Sequence, residues 1–268
     1  MRKRLSMFLV AGLALALSAV SAEAQQRGGV LKFATPSVKP GLDPARTRTG
    51  DAYMLTAMIF SNLTRISHEL KAEPQLAHKW EANSDSTEWT FHLRKDAKFS
   101  NGRTVVASDV KFSIDRILDP KTASKGRKSL GPIKEIVAKD DHTVLFKLKG
   151  PYADLALQLG NTFARIIAKE NLSDISNKPI GSGPFILKEY VPGNKAILVR
   201  NPNYFEKGLP YLDEVHQIYI KEYAAQVSAL STGEIDIMYF APSEIIGQLK
   251  KDPNVEVKIV SAPSFQPL

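Results

Sequence analysis

Cysteine is absent from the 268-residue chain. Its absence excludes a disulfide scaffold, a zinc–thiolate site, an iron–sulfur cluster and a cysteine nucleophile. The five histidines show no short metal-ligand spacing such as HExxH. Neither GxGxxG nor the phosphate-binding motif GxxxxGKS/T occurs. The sequence therefore contains no motif for catalysis, for a metal or for a cofactor, and we expect none of the three.

Long apolar runs are scarce too, and the one that is present lies near the N-terminus. Basic residues at positions 2–4 precede the uncharged, mostly apolar residues 7–20, and Ala22-Glu23-Ala24 follows. This order is typical of a secretory signal peptide, and the run is shorter than the about 20 residues that span a bilayer. We predict cleavage after Ala24. No cysteine at that point could accept a lipid, so we expect a mature protein that is free in an extracytoplasmic compartment.

The charge of the chain is basic but dispersed. The formal charge is +8, and residues 125–128 form the densest basic cluster beyond the signal. Nucleic-acid-binding proteins concentrate their basic residues in a patch or stripe, and export removes the protein from DNA and RNA. We interpret the charge as a solvated surface and expect no nucleic-acid partner.

Alternating apolar residues predict strands in the middle of the chain. Trp89, Phe91 and Leu93 alternate with polar residues, which predicts a strand that buries these three side chains and leaves its other face exposed. Residues 133–137 and 143–148 predict two paired strands joined by a turn at Asp140-Asp141, because aspartate is favoured in turns.

Helical spacing appears in two places of this region. Residues 53–63 carry apolar side chains at intervals of three and four, which predicts an amphipathic helix. A second helix is predicted to be capped by Ser108, to hold Asp109 in its first turn and to stop at Pro120.

The last third of the chain alternates strand and helix patterns. The predicted elements are strands at residues 215–220, 235–239 and 255–260 and helices at residues 223–230 and 243–250. A hairpin precedes them, with its turn at Pro192-Gly193-Asn194. A β-α-β-α-β series favours an α/β lobe built on a largely parallel sheet.

The clearest break in the chain is the proline- and glycine-rich stretch at residues 179–184. Its Gly181-Ser182-Gly183 superficially resembles a nucleophile elbow, but it lacks the GxSxG spacing, and Pro184 would obstruct the helix that follows such an elbow. We interpret these glycines as allowing a tight chain crossing. The carboxylate pairs Asp140-Asp141 and Glu234 with Asp236 have no partner that would tune them as acid and base, so we assign them structural roles.

Seven ordered fragments give the chain a resemblance to a known family. They resemble the family 5 extracellular solute-binding proteins of ABC importers, which bind peptides, dipeptides and nickel. The fragments cover almost the whole mature chain and are Leu42-Asp43-Pro44, Pro74-Gln75-Leu76-Ala77 to Trp80-Glu81, Trp89-Thr90-Phe91-His92-Leu93-Arg94 to Phe99-Ser100-Asn101-Gly102, Ala107-Ser108-Asp109-Val110, Pro179-Ile180-Gly181-Ser182-Gly183-Pro184-Phe185, Arg200-Asn201-Pro202-Asn203-Tyr204 and Gly233-Glu234-Ile235-Asp236.

The resemblance implies an α/β, periplasmic-binding-protein-like lobe (type II, cluster C-like) with an inserted smaller α+β lobe. After the signal peptide at residues 1–24, we expect residues 25–58 to begin the first lobe. Residues 59–178 are expected to form the inserted lobe, and residues 179–268 to return to the first lobe. A complete family member continues into a further lobe that closes over the ligand. We therefore expect this chain to correspond to the N-terminal half, with the C-terminal lobe missing.

The resemblance also implies a function: a monomeric, non-enzymatic component that captures peptides or similar small solutes and delivers them to ABC permease subunits in the inner membrane. The candidate ligand contacts follow Leu42-Asp43-Pro44 and are Thr47, Arg48, Thr49 and Gly50, whose backbone could pair with an extended peptide. The ligand class stays open between a dipeptide, an oligopeptide, a nickel chelate, an opine and an oligosaccharide. The alternative is a secreted enzyme or an extracytoplasmic chaperone built on the same lobe.

Overall fold

The computed structural model describes residues 27–36, 41–47 and 49–259. The predicted signal peptide and cleavage site lie outside these residues. The strands and helices are β1 (Val30–Thr35), α1 (Gly50–Ile59), β2 (Thr64–Ile66), β3 (Ala72–Pro74), β4 (Ala77–Ala82), β5 (Glu88–Leu93), α2 (Ala107–Leu118), β6 (Ile133–Asp140), β7 (Thr143–Leu148), α3 (Leu155–Gln158), β8 (Phe185–Val191), β9 (Lys195–Arg200), β10 (Glu214–Tyr219), α4 (Tyr223–Ser231), β11 (Ile237–Met238) and α5 (Ser243–Leu249). Short 3-10 helices lie at Pro120–Thr122, Lys125–Arg127 and Lys169–Asn171.

Five strands form a mixed sheet in the order β11-β1-β10-β9-β8. β1 runs parallel to both β10 and β11, whereas β9 runs antiparallel to β10 and to β8. The prediction of a largely parallel sheet is therefore correct for one end only. The physical reason is the connections: β8 and β9 are joined by the predicted hairpin around Gly193, and no helix links β9 to β10, while parallel neighbours need a long crossover.

Helices cover the two faces of the mixed sheet. On one face, Leu55 and Ile59 of α1 pack with Phe33, Val215 and other apolar residues of the sheet. On the opposite face, Ala229 of α4 packs with Ala34 and with Ile218, which adjoins the same small cluster. The sheet thus lies in the middle layer of an α/β/α arrangement.

A second sheet is antiparallel, with the order β4-β5-β7-β6, and α2 packs against it. Trp89, Phe91 and Leu93 of β5 are buried, whereas the His92 side chain is about a third exposed. The ring of Phe91 meets that of Phe146 edge to face at 5.4 Å. The predicted alternation is therefore confirmed, as is the turn between β6 and β7.

The helix boundaries differ from the predicted ones by a few residues. α1 begins and ends earlier than residues 53–63. α2 is capped by Val106 rather than Ser108, which lies inside the helix. Asp109 explains the difference, because its carboxylate accepts the backbone N–H of Val106 at 3.0 Å and is paired with Arg103 at 2.8 Å. Asp109, in the first turn of α2, thus provides the capping interaction that was predicted for Ser108.

The end of the described chain contains less strand than predicted. β11 has only two residues where five were predicted, and residues 255–259 form no strand, while Val260 lies outside the described residues. Asp236, which precedes β11, instead binds β1 through its side chain, accepting the N–H of Lys32 at 2.7 Å. The sheet therefore ends in a short edge strand.

A buried ion pair joins the β1–α1 loop to α2. Arg116 donates through Nη1 to Oδ1 of Asp43 at 2.9 Å and through Nη2 to Oδ2, and both side chains are largely buried. Oδ1 also accepts the N–H of Ala45 at 3.1 Å. The aspartate of the Leu42-Asp43-Pro44 fragment thus anchors the loop that leads to α1.

The alternation in β5 yields a stability prediction. Phe91→Ala should lower the free energy of unfolding by roughly 3 to 5 kcal/mol, because it empties a large aromatic site in a packed core. His92→Ala, on the exposed face of the same strand, should cost far less and serves as the control. Urea denaturation of both variants checks this, and equal losses would contradict the assignment of faces.

The Asp43–Arg116 pair yields a second stability prediction. Arg116→Met should lower the free energy of unfolding by about 3 kcal/mol, because it leaves a buried carboxylate without its cation. The control is Lys111→Met, which removes the exposed pair between Lys111 and Asp115 and should cost about 0.5 kcal/mol. Denaturant midpoints that fall equally in both variants would show that burial does not strengthen the Asp43–Arg116 pair.

Candidate ligand-binding face

The carboxyl ends of β1, β10 and β11 meet at one edge of the mixed sheet, beside the first turn of α1. We call this region the carboxyl-end face; it comprises Thr35, Thr49, Gly50, Asp51, Gln217, Tyr219, Tyr239 and Phe240. In open α/β sheets, ligands bind in the crevice outside the carboxyl ends of the strands. The fold therefore makes this face the first candidate for a binding site.

The candidate residues of the β1–α1 loop lie in different settings. Thr47 is buried and serves the turn, since its hydroxyl donates to the carbonyl of Asp43 at 2.7 Å. Arg48 lies outside the described residues. Thr49 is the N-cap of α1 and Gly50 its exposed first residue. Their role as ligand contacts stays a prediction.

The N-terminus of α1 offers donors and an uncommitted hydroxyl. The N–H groups of a first helical turn have no acceptor within the helix. Thr49 makes no side-chain capping bond, and its buried Oγ1 has no hydrogen-bond partner among the described residues. The start of α1 can therefore receive a hydrogen-bonding group.

A small polar cluster lies under this turn, on the sheet face that α1 covers. Gln217 and Thr35 are fully buried, and Nε2 of Gln217 donates to Oγ1 of Thr35 at 3.1 Å and to the carbonyl of Asp51 at 3.5 Å. Oε1 of Gln217 has no partner within the described part of the chain. Such groups are costly to bury, and here they tie α1 to β1 and β10.

Two tyrosines adjoin this cluster, and both stay protonated at neutral pH. Burial raises the pKa of the Tyr219 phenol, and the neighbouring Tyr190 and Asp51 raise it further. Burial also raises the pKa of Tyr190, although a hydrogen bond from the backbone of Gly41 opposes that effect. Each phenol therefore keeps an O–H that can donate.

Exposed aromatic side chains flank the polar cluster. Tyr239 and Phe240 follow β11 and are 51% and 53% exposed, and the ring of Phe240 lies 6.3 Å from that of Tyr223. Exposed apolar patches commonly mark binding surfaces. Sequence reasoning missed this pair because it placed Tyr239 in a strand; the available signal was two adjacent aromatic residues directly after a strand of a parallel pair.

Two of the five histidines contact carboxylates in the strands that carry them or their neighbours. His92 contacts Glu81 at 2.9 Å, and His216 contacts Glu214 at 2.7 Å. No group of three or more His, Asp or Glu side chains within residues 27–36, 41–47 and 49–259 could hold a metal ion. Among the same residues, no helix is long and apolar enough to cross a membrane.

Gly181 and Gly183 do permit the predicted chain crossing. A Cβ atom on Gly181 would lie 2.0 Å from the carbonyl oxygen of Ile59, and one on Gly183 would lie 2.5 Å from that of Met58. The N–H of Gly183 donates to Ile59 at 2.8 Å. Side chains larger than hydrogen cannot fit between these backbones, so this crossing requires glycine.

Comparison with known proteins finds relatives that are described as periplasmic binding proteins. The chain is 34% identical over 230 residues to the probable D,D-dipeptide-binding periplasmic protein DdpA of Escherichia coli, covering 81% of this chain and 44% of that protein. A peptide-bound structure of the periplasmic binding protein DppA from Helicobacter pylori matches with a TM-score of 0.78 and 32% identity, covering 86% of this chain and 50% of that one. The structure of AgaA from A. tumefaciens R10 with agropinic acid matches with a TM-score of 0.79 and 31% identity, covering 84% and 46%.

These relatives are about twice as long as the part that matches: the chain spans roughly half the length of the curated relatives. The family described as bacterial extracellular solute-binding proteins, family 5 Middle, matches residues 71–268, which is most of the chain. The protein therefore belongs to the family 5 bacterial extracellular solute-binding proteins.

Proposed function

We propose that this chain supplies one wall of the solute site of an ABC importer's binding protein, which captures peptides or similar small solutes and delivers them to a membrane permease. The observation that carries the proposal is the carboxyl-end face, where the first turn of α1, buried polar atoms and exposed aromatic rings adjoin one another. Peptides present both backbone polar groups and apolar side chains, so this mixture suits them.

The proposed contacts divide by chemistry. The backbone at Thr49 and Gly50, together with Arg48 and the neighbouring Thr47 turn, would bind the main chain of an extended peptide. Tyr239 and Phe240 would contact its side chains. The solved structures of the relatives contain a peptide in one case and agropinic acid in the other. Both are small organic molecules that carry a carboxylate group, so we propose a small, peptide-like solute.

The division into lobes is also a proposal. Residues 25–58 and 179–268 would form the first lobe, and residues 59–178 the inserted smaller one. The two sheets support this division because each has its own apolar cluster, one around Phe91 and the other around Phe33. The two chain segments that connect the lobes would then meet at the Gly181 crossing, because Ile59 and Gly181 lie at the two boundaries.

The proposed location is the periplasm, where the relatives DdpA and DppA are found by their descriptions. We propose that export removes residues 1–24, that the mature protein is a monomer, and that it acts without catalysis, cofactor or nucleic acid.

The signal peptide gives a direct prediction. Expression in a bacterium with a periplasm should yield a protein that starts at Gln25 and is released by osmotic shock, because Ala22-Glu23-Ala24 carries small residues at both recognition positions. N-terminal mass analysis checks this. A product that retains Met1 and sediments with membranes would contradict it.

Solute binding gives a further prediction. Tri-alanine and Ala-Phe-Ala, titrated into the ¹⁵N-labelled mature chain, should shift the amide resonances of Gly50, Tyr239 and Phe240. The affinity should be weaker than micromolar, because one wall cannot cover the 70 to 90% of ligand surface that closed pockets typically bury. Tyr239→Ala should weaken the binding of Ala-Phe-Ala at least threefold.

The matched control is Leu172→Ala, which removes another exposed apolar side chain away from this face and should leave the titration unchanged. Shifts confined to other surfaces would contradict the proposed site. Micromolar or tighter binding would show that the chain holds a complete site. Hydrolysis of either peptide, seen by mass spectrometry, would favour the secreted-enzyme alternative.

A further inference from the structure

The densest basic cluster beyond the signal lies in a surface loop directly after α2. We call residues 119–128 the basic loop; it contains two of the short 3-10 helices. Its only carboxylate is that of Asp119, and all of its cationic side chains are exposed. These cations are Lys121, Lys125, Arg127 and Lys128. None of them makes an ion pair or a side-chain hydrogen bond within the described part of the chain.

The basic loop is held in place by its buried residues, which alternate with exposed ones. Thr122, Ser124 and Gly126 are buried. Oγ of Ser124 accepts the N–H of Gly126 at 3.2 Å, and a Cβ atom on Gly126 would lie 2.1 Å from the ring of Phe163. Both 3-10 turns also pack against α2. The cations therefore project from a packed scaffold and are presented together on its outer side.

The basic loop adjoins the β1–α1 loop, which leads to the carboxyl-end face. Arg46 is exposed and donates through Nε to the carbonyl oxygen of Thr122 at 3.3 Å. The buried pair between Asp43 and Arg116 joins the same two regions, since Arg116 lies in the last turn of α2. Arg46 thus adds a further cation to the patch, on the side of the candidate solute site.

The composition of this patch favours a lipid surface over a protein partner. Protein interfaces are depleted in lysine and depend on buried aromatic or apolar anchors. Three of the four loop cations are lysine, and no large apolar side chain is exposed between residues 119 and 130. Anionic phospholipid headgroups are attracted by charge alone, and clusters of four or more Lys and Arg side chains are typical of segments that bind them.

We propose that the basic loop binds anionic phospholipid headgroups reversibly at a membrane surface. Each cation near such a surface contributes about fivefold to the binding constant. Salt weakens the attraction, because exposed charges are screened over about 10 Å at 0.1 M ionic strength. The contact would hold the neighbouring solute-binding wall at the membrane. That consequence rests on the proposed delivery of solutes to a permease, whereas the lipid contact itself does not.

The proposal is tested with the mature chain and lipid vesicles. The probes are vesicles of phosphatidylcholine alone and vesicles that also contain about one third phosphatidylglycerol. At about 0.1 M salt, the chain should co-sediment with the second kind only, and about 0.5 M salt should release it because the screening length shortens. The triple variant Lys125→Gln, Arg127→Gln, Lys128→Gln should bind about a hundredfold more weakly, from the contributions of three cations.

The matched control removes three exposed cations outside the basic loop, through Lys139→Gln, Lys207→Gln and Lys250→Gln, and should bind the vesicles as the wild type does. Circular dichroism checks that both triple variants are folded. The proposal is overturned if the wild type ignores the phosphatidylglycerol vesicles, if both kinds of vesicle bind it equally, or if the control variant loses as much binding as the loop variant.

Two further results would assign the basic loop to another partner and would also overturn the proposal. Displacement of the vesicles by inorganic phosphate at constant ionic strength would identify a site for a free anion. Retention on polyglutamate-coated beads, without binding to the vesicles, would identify an acidic protein as the partner. Neither a solute nor a permease is present, so a failure here is distinguishable from a failure of the proposed function.

Discussion

The rest of the structure depends on one close approach of two backbones. The chain leaves α1 at Ile59 and returns at residues 181–183, and the two segments pass so closely that only glycine fits at Gly181 and Gly183. Hydrogen bonds join them, including the N–H of Gly183 to Ile59 at 2.8 Å and the hydroxyl of Ser61 to the carbonyl of Ser182 at 3.0 Å. Because both sheets are attached to this crossing, it sets the position of β8 and of the mixed sheet relative to the antiparallel one.

The Asp43–Arg116 pair is a second link between the two sheets, and it positions the loop that leads to the candidate site. Arg116 belongs to α2, which packs on the antiparallel sheet, while Asp43 begins the loop that leads to the first turn of α1. The loop therefore takes its position from both sheets. Separating Asp43 from Arg116 would leave a buried carboxylate without its cation, which is costly, so the loop's geometry is coupled to the packing of α2.

One face of the mixed sheet has a polar part and an apolar part. Near the carboxyl ends, Gln217 and Thr35 bury polar atoms under α1, one of them unpaired. Farther along β1 the surface becomes apolar and stays open to water at Ile237. Burying polar groups and exposing apolar ones both cost free energy. The proposed binding face would account for the first of these costs.

Local patterns in the sequence determined the elements that depend only on residues close together in the chain. The alternation of Trp89, Phe91 and Leu93 specified a buried strand face because side chains alternate along any strand. The glycines at residues 181–183 indicated a close crossing, and the ordered fragments indicated the family. Tertiary structure alone decided what depends on partners distant in sequence. Asp43 meets Arg116 across 73 residues, and Gln217 meets Thr35 across 182. Strand direction in the sheet and the open apolar surface at Ile237 were likewise decided only by packing, because no local pattern reveals which neighbour a strand or a helix will find.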